Sequence, residues 1–242
     1  MVNPKSLVHA SFKAGKALFS ADGGNSAAND MPRASVLVPI RSLGPGHRSR
    51  IADHLFALAP GDRYLRFGYA ASDAQIQMYV DSLDFERDEI FGIYNRNLVL
   101  IAVAHLAFSP DPKCGACAEF GVSVLGTARG RGYGSRLFER AVMHARNEKV
   151  DLLFIHALSE NTAMLKIARK AGAIIERDGS ESDAYLKLPP ADLDSRMTEI
   201  VEEQFAQTDY RLKVQAKQFW DFLANLQEIR RGVREARHKS AS

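Results

Sequence analysis

The segment "VSVLGTARGRGYGSRLFERAV", residues 122–142, passes from a strand-like apolar run through a glycine and arginine cluster into an amphipathic pattern. Gly130, Gly132 and Gly134 alternate with Arg131 and Tyr133, and Arg129 leads the cluster. Glycine lets the backbone approach a ligand closely because it has no Cβ. The first amides of a helix have no internal acceptor, and the helix dipole adds partial positive charge there. Arginine contributes charge-assisted hydrogen bonds suited to phosphate oxygens. A strand, this loop and a helix in succession therefore predict a phosphate-binding turn. The alternative is an ordinary strand-to-helix turn with solvated arginines.

Two nucleotide-binding patterns fit poorly. The string G-x-x-x-x-G-K-[ST] of a P-loop does not occur. A dinucleotide fingerprint needs a third glycine or alanine, but Ser135 stands there. The next apolar run, "DLLFIHAL", also lacks the acidic residue that such a fold places about 20 positions on.

The elements around the loop follow from pattern. "ASVLVPIRSL" (34–43) reads as a strand and "GHRSRIADHLFALAP" as a helix with Ile51, Leu55 and Leu58 on one face. A second helix is predicted around 72–83. "EIFGIYNRNLVLIAVAHLAFS" reads as a hairpin turning at Asn95–Asn97, and "ACAEFGVSVLG" as the next strand, reached through 111–115. Helix 132–147, strand 151–157, helix 161–171 ending at Gly172, and short strands at 173–177 and 183–188 complete the run.

This order, with the motif Arg129-Gly130-Arg131-Gly132-Tyr133-Gly134, resembles the GNAT superfamily of acyl-CoA-dependent N-acyltransferases, whose loop reads [Q/R]-x-x-G-x-[G/A]. "SENTAMLKIARKAGA", residues 159–173, is similar to that family's asparagine-led helix. The resemblance covers about 34–189 and implies an α/β fold, a mostly antiparallel mixed sheet flanked by helices. It implies acetyl-CoA as cosubstrate, an amine acceptor and no metal. Val122, Ser123 and Val124 would run beside the pantetheine arm. Arg129, Gly130, Arg131, Gly132, Tyr133, Gly134 and Ser135 would hold the pyrophosphate. Asn161 would sit where the cofactor emerges, unless it only caps its helix.

An acceptor ammonium must lose a proton before it attacks a thioester, and a carboxylate can take it. Glu119 is the candidate catalytic base, since similar proteins often carry a glutamate just before the cofactor strand. By strand alternation Glu119, Gly121 and Ser123 share one face, and the two small residues leave room for substrate. The family's usual tyrosine acid falls on Ala168, so no acid carries over. Tyr133 and Tyr185 are other donors, although packing explains both. "Asp62-Arg63-Tyr64-Leu65-Arg66-Phe67" resembles a stretch in GNAT domains of protein lysine acetyltransferases, in a region where the family contacts its acceptor. The alternative is a helix connector with solvated arginines. His105 and His156 read as satisfied strand histidines or as lining of the acceptor cleft.

Three units are expected: 1–32, an N-terminal segment with the linker-like run "ADGGNSAAND"; 33–189, the acetyltransferase domain; and 190–242, a helical C-terminal extension. In the extension, 191–209 carries six acids against Arg196, and 210–242 carries eight bases against three acids. Phe219, Phe222, Leu223, Leu226, Ile229 and Val233 form an apolar stripe that must be covered, by the domain or by a second copy in a homodimer. A break in so long a helix, or a partner for it, is expected.

A formal net charge of +3 disfavours nucleic acid as a partner, and no apolar run is long enough for a membrane span. Two cysteines, Cys114 and Cys117, form a lone C-x-x-C, too few ligands for zinc, and suit the reducing cytoplasm. The sequence thus predicts an N-acetyltransferase acting on a protein lysine. A small-molecule amine or antibiotic is the competing acceptor, and a non-catalytic acyl-CoA sensor is the alternative class.

Overall fold

The computed structural model describes residues 38–109 and 116–239. The N-terminal segment 1–32, the start of the predicted first strand, the connection 111–115 with Cys114, and the last residues lie outside the described ones.

Seven strands form one sheet in the order β1-β2-β3-β4-β5-β7-β6. They are β1 (Arg41–Ser42), β2 (Glu89–Tyr94), β3 (Leu100–Phe108), β4 (Cys117–Val124), β5 (Leu152–Leu158), β6 (Ile174–Asp178) and β7 (Glu181–Lys187). Every neighbouring pair is antiparallel except β4 and β5. The helices are α1 (Arg48–Phe56), α2 (Pro60–Phe67), α3 (Asp73–Asp81), α4 (Tyr133–Asn147), α5 (Thr162–Lys170) and α6 (Leu193–Lys239).

Strand alternation sorts the core into two layers. Ala104 and Leu106 of β3 and Phe120 of β4 pack with α4 and α5, where Phe120 meets Phe138 edge-on at 5.0 Å. On the opposite face Val103 packs with Ile51 and Leu55 of α1 and with Ile76 and Val80 of α3. The face bearing α1, α2 and α3 also receives Ser123 and Gly121.

Two expectations at the N-terminal end need correction. The strand predicted over 34–43 is only Arg41–Ser42 among the described residues; Pro39 has no N–H to give a ladder. Asp62–Phe67 is helix α2, with Pro60 in its first turn and Gly68 closing it at φ 78°. A proline start and a single short turn pair gave too little periodicity to mark a helix.

The extension is one helix of 47 residues, about 70 Å at 1.5 Å per residue, and of the two expectations, a break or a partner, the break is absent. It begins after Pro189 and Pro190, where Asp192 Oδ1 accepts from the Ser195 amide at 2.6 Å and Ser195 Oγ accepts from the Asp192 amide at 3.3 Å. Its first half packs on α4 and β1. Glu199 Oε1 lies 2.9 Å from Nη1 of buried Arg140 and 2.6 Å from His144 Nδ1, and Glu203 reaches the same guanidinium at 3.5 Å. Ala206 is fully buried, and the Tyr210 ring meets Tyr94 at 5.1 Å beneath Arg41 at 4.0 Å. The expected burial of the apolar stripe is not seen where its side chains are described: Phe219 is exposed in the single chain. Among the described residues, no helix is long and apolar enough to cross a membrane.

Burial disfavours the Glu199 carboxylate, but hydrogen bonds from His144 and Asn147 and the charge of Arg140 outweigh it and hold its pKa at about 2. Glu199→Ala therefore leaves Arg140 short of its main counter-charge and is expected to cost roughly 3 kcal/mol of stability, read from urea unfolding of the full chain.

Candidate active site

The β4–β5 junction is the one parallel pairing in the sheet, and it is short. Cys117, Ala118 and Glu119 pair with Leu152, Leu153 and Phe154, and then the strands part. From Phe120 to Val124 the β5-facing edge of β4 has no strand partner among the described residues, while its other edge stays paired with β3. Glu119 is the last paired residue, at the fork. Val122 and Val124 pack toward the α4 layer, and Ser123 faces α1.

The glycine loop stands beyond the open end of this fork. Gly130 and Gly132 both hold φ 76°, and a Cβ at either would meet open space. Their need for glycine is conformational. The first hydrogen bond of α4 runs from the Arg136 amide to the Gly132 carbonyl at 3.1 Å, so the amides of Tyr133, Gly134 and Ser135 have no acceptor within the helix. Gly134 has a second reason: a Cβ there would lie 3.3 Å from Ile167 Cδ1, where α4 packs on α5. Arg131 is exposed, Tyr133 packs against the core, and Arg129 forms an ion pair with Asp62 of α2.

Asn161 is the N-cap of α5. Its Oδ1 accepts from the Met164 amide at 3.1 Å, and its Nδ2 donates to the Leu65 carbonyl at 3.4 Å. The capping alternative is therefore present in the structure, and it also fixes α2 beside the fork. Ala168 is fully buried in the core, so the helix offers no acid at that place.

The face expected to be open for substrate is partly filled. A Cβ on Gly121 would come 2.8 Å from Cζ of Arg66, so the guanidinium of α2 lies directly on that glycine. Ser123 is buried against His54. The Leu100 carbonyl can only accept, so His54 carries its proton on Nδ1 (2.9 Å), and Nε2 accepts from the Ser123 hydroxyl (2.8 Å). Burial, reinforced by the Arg66 charge, pushes the His54 pKa down to about 4 despite the carbonyl contact.

A directional chain crosses the same face. Arg66 Nη2 donates to the Tyr79 oxygen at 2.9 Å, the Tyr79 hydroxyl donates to His105 Nδ1 at 2.8 Å, and His105 Nε2 donates to Asp88 Oδ2 at 3.1 Å. Burial, with Arg66 nearby, keeps His105 below its ordinary pKa and hence neutral, and burial raises that of Tyr79. Burial alone would raise Asp88, but hydrogen bonds from Arg87 and His105 hold it low. Glu119 is close enough to act electrostatically on both Tyr79 and His105. His156 lies apart, at 2.6 Å from Asp183 on an exposed surface.

Pattern reading did not find His54, Tyr79 or Asp88, and left Arg66 as solvated or acceptor-facing. The one local signal was Gly121, a glycine inside a strand, which often marks close approach of another group.

Residues 58–173 match the family model described as "Acetyltransferase (GNAT) family", the family of acyl-CoA-dependent N-acetyltransferases. The fold is similar to the GNAT domain of S. lividans PAT, at 19% identity and TM-score 0.54 over 66% of this chain and 100% of that one. It is also similar to the spermidine N-acetyltransferase from Vibrio cholerae solved with CoA and spermine, at 16% identity and TM-score 0.50 over 62% and 95%. No curated protein sequence matches the chain significantly.

Because His54 titrates near 4 when folded and near 6.5 when unfolded, the neutral form favours folding above pH 6.5. That contribution is lost as pH falls from 6.5 toward 4, by about 3 kcal/mol at most. Urea unfolding across this range is expected to show the decline, and His54→Gln to flatten it.

Proposed function

We propose that the protein transfers an acetyl group from acetyl-CoA directly to an amine. The observation that carries this reading is the fork: β4 presents an unpaired edge from Phe120 to Val124, with the free amides of α4 at its open end. Val122, Ser123 and Val124 offer backbone groups to the amide-bearing pantetheine arm. Gly130, Gly132, Gly134 and Ser135, with exposed Arg131, offer amides and charge to the pyrophosphate. Arg129 contributes through its anchorage on Asp62 or by leaving it, and Asn161 by holding α2 against the fork.

The cosubstrate supplies a thioester carbonyl. Glu119, at the fork point, accepts the proton that the acceptor nitrogen releases as the N–C bond forms and the C–S bond breaks. No side chain at Ala168 protonates the departing sulfur. A free thiol has a pKa near 8.5, so the thiolate is a tolerable leaving group at neutral pH. Two acceptor classes compete: a protein lysine, on the resemblance of the Asp62–Phe67 stretch, and a small amine, on the small cleft between Ile51, Leu55 and the side chains of Arg66, Tyr79 and His105. Turnover of acetyl-CoA over an amine panel separates either enzyme from a sensor that only binds.

Ser135→Glu is the sharpest test of the anion site. Glutamate in the first turn favours the helix, yet repels a phosphate there. Unchanged or higher melting temperature with an acetyl-CoA Kd raised about 10-fold or more is expected by calorimetry; equal affinity would place the pyrophosphate elsewhere.

Glu119→Gln keeps shape but cannot accept the proton. Acetyl-CoA affinity is expected to persist while kcat falls about 10²–10⁴-fold. A pH–rate profile identical to the parent's would move the base to another group.

A further inference from the structure

Arg66 is a half-buried cation on the acceptor side of β4, and its surroundings do not neutralise it. Arg63, Arg87, Arg129, Arg140 and Arg146 each meet a carboxylate. Among the described residues Arg66, like the partly buried Arg41, Arg48 and Arg50, forms no ion pair, and its hydrogen bond goes to the neutral Tyr79 hydroxyl. The remaining donors of its guanidinium lie on Gly121, in a cleft shared with His105 and Ser123.

The position is held from several sides. Phe67 and Tyr79 present rings at 5.2 Å and 5.4 Å from the guanidinium carbon. The Tyr79–His105–Asp88 chain fixes the tyrosine that receives its proton donor. Gly121 supplies the space, since any Cβ there would collide with the guanidinium. A cation so fixed and left without a counter-charge is built to receive an anion.

Glu119 lies two residues away on the same face of β4, about 7 Å along a strand. The site therefore presents a carboxylate at the fork and a guanidinium one pleat further on. That pair complements a molecule with an amine and a carboxylate close together. It opposes a polyamine or a lysine side chain flanked only by neutral peptide, which would bring positive charge to Arg66 with nothing to offset it.

We infer that the acceptor is an amine bearing its own carboxylate, with a free α-amino acid as the minimal case, and that Arg66 is the residue that binds this carboxylate. The inference rests on the acetyl-transfer reading of the same site. No covalent step is added to that reading. The acceptor carboxylate is held by Arg66 while its amine faces Glu119.

The test is CoA release from acetyl-CoA by the full chain, with the twenty L-amino acids supplied as free acids and as methyl esters, and with spermine and a lysine peptide beside them. At least one free acid is expected to exceed its ester in kcat/KM by about 10-fold or more, the size of a charge-assisted contact. Arg66→Gln is expected to raise KM for that acid and close the gap to its ester. Arg66→Lys, which keeps the charge but not the fork of donors, is expected to restore part of it. Acetyl-CoA affinity of each variant, measured separately, reports that the domain is folded. Turnover of esters, spermine or the peptide but of no free acid overturns the inference and leaves acetyl transfer standing. A preference for the acid that survives in Arg66→Gln also overturns it. Failure of the parent chain to bind acetyl-CoA removes both readings.

Discussion

The structure depends on a mismatch in one hydrogen-bond ladder. β4 and β5 run parallel in an otherwise antiparallel sheet, and they stay together for only three residue pairs. Past Glu119, β4 must leave one row of backbone donors and acceptors without a strand. Such an edge is costly in a protein interior, and here it opens toward the loop at the start of α4. The residues proposed to meet the cosubstrate and the acceptor are arranged around that gap. Glu119 stands at its apex, the free amides of Tyr133, Gly134 and Ser135 stand at its mouth, and Asn161 ties α2 across its side.

The two faces of β4 have different tasks because a strand alternates. Phe120 goes into the α4 layer with Phe138 and anchors the strand in the apolar core. Gly121 and Ser123 go to the other layer, where they meet Arg66 and His54. The polar groups of that layer form a connected set of neutral and charged members. Burial, reinforced by the Arg66 charge, depresses the basicity of both His54 and His105.

How far the sequence shows this depends on the range of the interaction. The glycine loop, α4, α5 with its asparagine cap, and the β2–β3 hairpin were legible because their signals are local: a turn residue, a cap, a period. β1 was overread, since an apolar run hides the missing donor of Pro39, and α2 was missed because eight residues opening on proline show little periodicity. The continuous α6 was legible as helix but not as one piece; Gly232 alone does not end a helix that has no proline after Pro190. The Arg66–Tyr79–His105–Asp88 chain joins α2, α3, β3 and the approach to β2, and no spacing along the chain announces it. Glu119 was legible as the residue before the strand turns small, whereas its place at the fork required the pairing itself.

Gly121 gives the site a constraint of its own. An alanine there would put a methyl group where the Arg66 guanidinium rests, so the end of that side chain would have to shift off the strand. In the other direction, losing Arg66 removes the reason for a bare backbone at 121. The two positions are therefore coupled: a side chain at 121 displaces the Arg66 guanidinium from its place on β4.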